Sequence, residues 1–161
     1  MHPFTGTLKL SIWNIVMKIR TIRCHEISED INTVTLDEAE LSAPADDEVQ
    51  VKLMACAVNF PDILMIQGKY QFAPPLPFAP GGEAAGVVVA VGNGIDDISP
   101  GDRVVLGIRY GGFAEVVNAP RETLQKIPDG LSFEKAASYK TTYLTAYVAL
   151  AIRGNLQPGE T

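Results

Sequence analysis

The sequence predicts a mainly β fold with helices at its C-terminal end. Apolar and polar residues alternate in several short stretches, turn-forming residues separate these stretches, and helical spacing dominates only near the end. Short strands joined by turns are typical of a β-barrel or a sandwich. The 161 residues are enough for one domain with a buried core, and 47% of them are hydrophobic, which argues against wholesale disorder.

The first strands are predicted after Met17. The segment KIRTIR alternates apolar and charged residues, and INTVTLDEAEL does so less regularly. The clearest pattern is EVQVKLMACAVN at 48–59, which has a period of two. This pattern places four residues on one face of a strand, namely Val49, Val51, Leu53 and Ala55.

A short helix and three further strands are predicted next. Pro61 suits the first turn of a helix and Gly68 its end, which predicts a helix over 61–67. The valine-rich segment EAAGVVVAVG predicts a strand, and the turn sequence PGD predicts another strand after it. A further strand is expected in YGGFAEVVNAP, with glycines at its start.

Helical signals appear in residues 132–161. Ser132 suits an N-cap, Glu134 lies where a helix dipole favours an anion, and Gly154 can end a helix. Apolar residues recur at helical spacing at Leu144, Tyr147, Val148 and Ala151. We therefore expect one or two helices in this region.

Composition and charge narrow the class of protein. The net charge is −6 and the acidic residues are dispersed, which argues for solubility and against a nucleic-acid surface. No apolar stretch is long enough to span a bilayer, so we expect no membrane partner. Cys24 and Cys56 form no Cys-x-x-Cys pair, which favours two free thiols in a cytoplasmic protein, although a disulfide between them is also compatible with the sequence.

Residues 1–16 differ from the rest of the chain. Their apolar run is interrupted by Lys9 and Asn14, and no small-residue cleavage site follows, so a secretory signal fits poorly. We interpret them as a loose tail or a consequence of start-site choice, with cover of a sheet edge as the alternative. The remaining chain divides into a barrel at 17–131 and a helical connector at 132–161.

Four glycines lie in PLPFAPGGEAAGVVVAVG, yet this segment does not match a dinucleotide-binding loop. Such a loop follows a strand and opens a helix, whose N-terminal amides hold the pyrophosphate. Here the first glycines precede a strand, and GNGIDDISPG is not followed by an amphipathic helix. The first glycines are therefore interpreted as backbone devices that allow positive φ or close approach of another segment.

Several segments of the sequence, taken in order, resemble a known family. The segment AVNFPDILMIQGKYQFAPPLPFAPGGEAAGVVVAVGNGIDDISPGDRVV, followed in order by GGFAEVVNAP, LQKIPDGLSFEKAA and TTYLTAYVAL, resembles the zinc-independent quinone oxidoreductase branch of the medium-chain dehydrogenase/reductase superfamily. The resemblance covers about residues 17–161. It implies a GroES-like β-barrel, which in that family is the catalytic half and precedes a Rossmann domain that holds NADPH. We therefore expect the Rossmann domain to be absent from this chain and the chain to be inactive by itself.

The resemblance also implies that no zinc is bound. Alcohol dehydrogenase relatives bind a catalytic zinc through cysteine and histidine, whereas this sequence has Asn59 and Gly82 at the corresponding places. The segment VVLGIRYGGF lacks the cysteines of a structural zinc site. His25 beside Cys24 is interpreted as an ordinary histidine.

Four candidate site residues follow from the resemblance. It implies that Asn59 and Tyr70 lie at the catalytic site, and that Asn59, Asp62 and Thr142 bind the cofactor, with Asn59 and Thr142 near the nicotinamide. Each has a structural alternative: a helix N-cap for Asn59, a first-turn carboxylate for Asp62, loop packing for Tyr70, and a hydrogen bond within a helix for Thr142. Leu64 stands where some relatives carry a second tyrosine, and Lys140 is unusual at its position.

Two functions of different classes are compatible with the sequence. One is the catalytic half of an NADPH-dependent reductase of quinones or enones. The other is a stand-alone barrel that binds or assembles, with self-association through an exposed apolar surface.

Overall fold

Residues 16–160 are described by a computed structural model and are mainly β, as the sequence predicts. The strands are β1 (Met17–Arg23), β2 (Thr35–Leu41), β3 (Glu48–Ala57), β4 (Glu83–Val91), β5 (Arg103–Gly107), β6 (Val116–Pro120) and β7 (Leu124–Lys126). The helices are α1 (Phe60–Ile66), α2 (Phe133–Ala137) and α3 (Lys140–Tyr147), and α3 continues as a π-helical stretch over Val148–Arg153. The expected tail lies outside the described residues except for Val16.

The main sheet has five antiparallel strands in the order β6-β3-β4-β5-β7, and β1 pairs with β2 separately. All five strands contribute to one apolar cluster, whose buried members are Val49, Val51, Ala84, Val88, Ile98, Val104, Leu106, Ala119 and Leu124. A sheet that buries much of one face against itself must curve, as strands do in a barrel. The sheet therefore encloses its own core and leaves its ends free to carry loops.

The regular alternation predicted for β3 is wrong beyond Leu53. Leu53 pairs with Gly86 while Ala55 pairs with Ala85, so Met54 is an extra residue and the register shifts at this point. After the shift, Ala55 packs against the cluster that contains α2, whereas Cys56 packs against the main core. A bulge of this kind exchanges the faces of a strand, which no alternating pattern can anticipate.

The glycines before and within β4 serve the backbone, as the sequence predicts. Gly81 has a φ of +99°, which side chains rarely adopt. A Cβ on Gly86 would overlap the carbonyl oxygen of Lys52 on the neighbouring strand. Both positions therefore require glycine for the geometry of the backbone.

The C-terminal helices differ in how they are packed. Ser132 caps α2 by accepting a hydrogen bond of 3.4 Å from the Lys135 N–H, and Ala136 and Ala137 of α2 are buried against the sheet. In α3, by contrast, no residue is buried, and Tyr143 is 65% exposed. Within residues 16–160, no helix has the length and apolar character needed to cross a membrane.

Candidate functional site

The candidate site lies at one edge of the main sheet. Ala57 at the end of β3 pairs with Glu83 at the start of β4, and Glu83 pairs with Gly107 at the end of β5. The N-termini of α1 and α3 meet this edge, and a cavity of about 440 Å³ opens there. Its lining residues are Asn59, Pro61, Asp62, Met65, Tyr70, Gln71, Phe72, Gly82, Ile108, Arg109 and Thr141.

Asn59 and Asp62 are held by the start of α1. Asn59 is the N-cap, and its backbone N–H donates a hydrogen bond of 2.8 Å to the Asp62 carboxylate. The other carboxylate oxygen of Asp62 accepts from the Gly81 N–H at 3.0 Å. Because Asp62 is only 2% exposed and both its oxygens are occupied, it connects α1 to the glycine turn before β4.

Glu83 is a buried carboxylate at the base of the site. It is 1% exposed, and its two oxygens accept hydrogen bonds from the Asn59 side-chain amide at 3.3 Å and from the Thr141 backbone N–H at 2.9 Å. No ion pair to Glu83 is present among residues 16–160, so these two hydrogen bonds are its compensation for burial. Glu83 thereby fixes the side chain of Asn59 and the start of α3.

Cys56 lies directly behind Glu83. Its thiol donates to the Glu83 carbonyl oxygen at 3.1 Å. Burial raises the pKa of the Cys56 thiol to about 12, and the negative charges of Asp62 and Glu83 contribute to this increase. Cys56 is therefore a protonated, unreactive thiol at neutral pH.

Tyr70 and Phe72 form an aromatic part of the cavity lining. Both rings also pack against the small core of Cys24, Met65, Ile66 and Phe78. Phe72 stacks on Tyr110 with ring centroids 6.0 Å apart. The Tyr70 hydroxyl has no hydrogen-bond partner among the described residues, so it is available to a bound molecule.

The structure brings three of the four predicted site residues together and leaves the fourth outside. Asn59, Asp62 and Tyr70 line the cavity, whereas Thr142 does not. The Thr142 hydroxyl donates to the Ser138 carbonyl at 2.7 Å, which is the helix bond considered as its alternative. The neighbouring Thr141 lines the cavity instead.

Lys140 has a structural setting that the sequence did not reveal. Its side chain packs against Gly107 of β5. A Cβ on Gly107 would lie 2.8 Å from the Lys140 ammonium nitrogen. A lysine is accommodated here because Gly107 has no side chain.

No group of three or more metal-ligating side chains lies together within residues 16–160. Gly82 lies in the cavity wall at the position considered for a zinc ligand and has no side chain to offer. Both cysteines are free thiols.

Sequence reasoning missed Thr141, Phe72 and Arg109. Arg109 lies in the loop after β5, and backbone hydrogen bonds join this loop to the glycine turn before β4. The Ile108 N–H donates to the Gly82 carbonyl oxygen at 2.9 Å, and the Gly111 N–H donates to the Ala79 carbonyl oxygen at 2.8 Å. The glycines that flank this loop were the one available signal, because they favour close backbone approach. Which loop side chain faces the cavity has no sequence signature.

The arrangement suits a ligand that places an uncharged carbonyl oxygen beside Asn59 and Tyr70. The Asn59 side-chain amide has two N–H donors, and Glu83 takes one of them. The second N–H and the Tyr70 hydroxyl can donate to a ligand oxygen, while Met65, Phe72 and Ile108 supply apolar contact. A cavity with hydrogen-bond donors at one point and apolar walls around them can hold a carbonyl compound in one orientation.

Comparisons with known proteins show related domains. The profile of the family described as "Alcohol dehydrogenase GroES-like domain" matches residues 45–129, more than half of the chain. The quinone oxidoreductase-like protein 2 homolog of Nematostella vectensis is 42% identical over 144 residues, which is 88% of this chain and 39% of the relative.

Two solved structures show the same fold. The human synaptic vesicle membrane protein VAT-1 homolog-like protein is 35% identical with a TM-score of 0.84, and the match covers 89% of this chain and 46% of that one. The Escherichia coli quinone oxidoreductase in complex with NADPH is 33% identical with a TM-score of 0.74, covering 86% of this chain and 41% of that one. The chain thus corresponds to the N-terminal part of these relatives and spans less than half of their length.

Proposed function

Since this chain belongs to the alcohol dehydrogenase GroES-like domain family, in the quinone oxidoreductase and VAT-1 branch of the medium-chain dehydrogenase/reductase superfamily, we propose that it forms the substrate half of an NADPH-dependent reductase of quinones or activated alkenes. The single observation that carries the proposal is the cavity in which Asn59 and Tyr70 offer hydrogen-bond donors beside apolar walls. Such donors stabilise the negative charge that develops on a carbonyl oxygen when a hydride adds to the conjugated system.

Asn59 and Tyr70 are the proposed catalytic residues. Glu83 orients the Asn59 amide through the bond of 3.3 Å, so that its second N–H points away from that carboxylate. Asp62 holds the backbone of Asn59 and is a positioning residue. The oxyanion formed on reduction is stabilised by these donors and is then protonated from water or a nearby hydroxyl.

The cavity is compatible with one end of a dinucleotide and not with the whole of it. When NADPH is bound, its nicotinamide supplies the hydride. Asn59 and Thr141 would border the ring, Asp62 would support Asn59, and Thr142 could contribute only after its hydroxyl left Ser138. The strand pairs between residues 16 and 160 are all antiparallel, so this part of the chain holds no βαβ unit to bind the pyrophosphate.

The test joins the chain to the cofactor domain of a relative. We expect no NADPH oxidation by residues 1–161 with a quinone, and oxidation once the cofactor domain of the Escherichia coli enzyme is fused or added. Asn59→Ala should lower turnover of the complemented protein about 100-fold, as expected for loss of an oxyanion donor. Turnover by the short chain, or no activity of the complemented protein on any quinone or enone, would contradict the proposal.

A second candidate function is that of an assembly module. The side chains of α3, of its N-cap and of its π-helical extension form an uncovered apolar surface, the α3 face. Its members are between 52% and 65% exposed: Tyr139, Tyr143, Leu144, Tyr147, Leu150 and Ile152. Exposed apolar patches of this kind favour association. A monomeric chain at high concentration would count against this function.

A further inference from the structure

Arg109 is a cation at the rim of the candidate cavity that has no ion-pair partner among residues 16–160. It is exposed and lines the cavity, while its guanidinium makes neither a hydrogen bond nor an ion pair with any residue in 16–160. The guanidinium lies over the Phe72 ring at 5.0 Å from the centroid. This stacking fixes the plane of the group and leaves its edge donors free.

The backbone around Arg109 is held firmly. Three backbone N–H groups of the loop after β5 donate hydrogen bonds to carbonyl oxygens of the segment before β4. These are Ile108 to Gly82 at 2.9 Å, Gly111 to Ala79 at 2.8 Å and Gly112 to Gly81 at 2.9 Å. The stacking partner Phe72 is itself fixed against Tyr110. The cation is therefore placed by two independent elements, which distinguishes it from a mobile surface arginine.

The charges within the cavity are arranged by depth. Asp62 and Glu83 are 2% and 1% exposed, and all four of their oxygens accept hydrogen bonds from the protein. Their negative charge disfavours an anion deep in the cavity, whereas Arg109 favours one at the rim. A ligand that satisfies both ends has an uncharged carbonyl near Asn59 and an anionic group near Arg109.

We propose that Arg109 selects substrates that carry a carboxylate: the ligand is a planar conjugated carbonyl compound with a carboxylate at the end that faces solvent. This rests on the proposed function, because it assumes that the cavity takes the carbonyl substrate. A guanidinium binds a carboxylate through two parallel N–H···O bonds, which gives both affinity and orientation. The apolar and aromatic walls contact the planar part.

The test compares two planar ligands of nearly equal size, 4-acetylbenzoate and 4-acetylbenzamide, titrated into the chain and followed by NMR shifts of Gly82, Ile108 and Thr141. The carboxylate should bind about five- to tenfold more tightly than the amide, and this preference should decline with added salt. Arg109→Gln should abolish the preference, because it weakens carboxylate binding far more than amide binding. Arg153→Gln, at the end of the π-helical stretch outside the cavity lining, is the matched control and should retain the preference.

The other outcomes separate the inference from the proposed function. Equal binding of both ligands at the cavity would overturn the role of Arg109 and leave the carbonyl site intact. No shift of cavity residues with either ligand would contradict both. If Arg109→Gln kept the preference for 4-acetylbenzoate but lost the binding of inorganic pyrophosphate, the carboxylate assignment would be overturned, because Arg109 would then bind a phosphate anion such as that of the cofactor.

Discussion

The side-chain amide of Asn59 donates a hydrogen bond of 3.3 Å to the carboxylate of Glu83, and this bond joins the start of α1 to the start of β4. The second oxygen of Glu83 receives the Thr141 N–H at 2.9 Å, so one buried carboxylate holds three elements together at the cavity. Replacing Glu83 by alanine should cost about 2–4 kcal/mol, because it removes both acceptors and leaves a hole.

Glu83→Gln is the matched variant. Its oxygen can still accept from Thr141, and a rotated Asn59 amide can accept from the new N–H group, so the loss should be less than half that of Glu83→Ala. Urea denaturation measures both values. Equal stability of Glu83→Ala and the parent chain would contradict the structural role of this carboxylate.

Asp62 offers a second test of how the site is held. Asp62→Ala removes the acceptor for the N–H groups of Asn59, in a part-buried setting, and Gly81, in a buried one, and should cost about 2–3 kcal/mol in urea denaturation. The exposed Asp96 makes no ion pair within residues 16–160, so Asp96→Ala should leave the free energy of unfolding within about 0.5 kcal/mol of the parent value. A similar effect of both variants would mean that the Asp62 bonds contribute nothing.

The pKa of Cys56 leads to a prediction for alkaline stability. In the unfolded chain the thiol loses its proton near its ordinary pKa of 9.0, whereas the folded chain keeps it until about 12. Above pH 9 the unfolded state thus binds fewer protons, and the free energy of unfolding falls by up to about 1.4 kcal/mol per pH unit until the folded thiol also titrates.

Cys56→Ala isolates this contribution. The difference in unfolding free energy between Cys56→Ala and the parent should be constant from pH 7 to just below the thiol's ordinary pKa of 9.0, and should shift in favour of the variant above it. Urea denaturation at each pH measures the difference, and other groups that titrate at high pH cancel between the two proteins. A difference that stays constant up to pH 11 would show that the folded thiol titrates normally.

Most elements of the fold could be predicted because their signals are local. Pro61 and Gly68 bound α1, Ser132 caps α2, and the valines mark β4, so each element could be located from a few neighbouring residues. The register shift at Met54 could not be predicted, because it depends on which residue of β4 lies opposite. The alternating pattern is compatible with β3 only up to that point.

The site was predictable to the extent that one segment builds it. Asn59, Asp62 and Tyr70 lie within 12 residues of one another, on and after α1, and the family resemblance pointed to them together. Arg109 and Thr141 come from distant segments, and they reach the cavity only through strand pairing and the bond to Glu83. The resemblance predicts that Thr142 lies near the nicotinamide, but the neighbouring Thr141 lines the cavity instead. Successive side chains on a helix differ in direction by about 100°, so an error of one residue moves the predicted side chain away from the site.

Two glycines in neighbouring strands should respond differently to alanine. At Gly86 a Cβ would overlap the backbone carbonyl of Lys52, so β3 and β4 would have to separate. At Gly107 a Cβ would meet the end of the flexible Lys140 side chain, which can move aside. Gly86→Ala should therefore cost about 2 kcal/mol or more and Gly107→Ala less than about 1 kcal/mol in urea denaturation, and the reverse order would contradict the strand pairing.

The α3 face allows the two candidate functions to be compared. Tyr139 and Tyr143 stack with ring centroids 5.0 Å apart, and both are more than half exposed. If the α3 face drives self-association, light scattering should show a mass that increases with concentration, and Tyr143→Glu should restore the monomer because a charge there would have to be buried on contact. Thr145→Glu places the same charge two residues further on, on the other side of α3, and should leave association unchanged.

Two outcomes would contradict this role of the α3 face. Association that persists in Tyr143→Glu would exclude the α3 face as the contact. A parent chain that stays monomeric at every concentration would exclude the assembly function while leaving the reductase proposal in place.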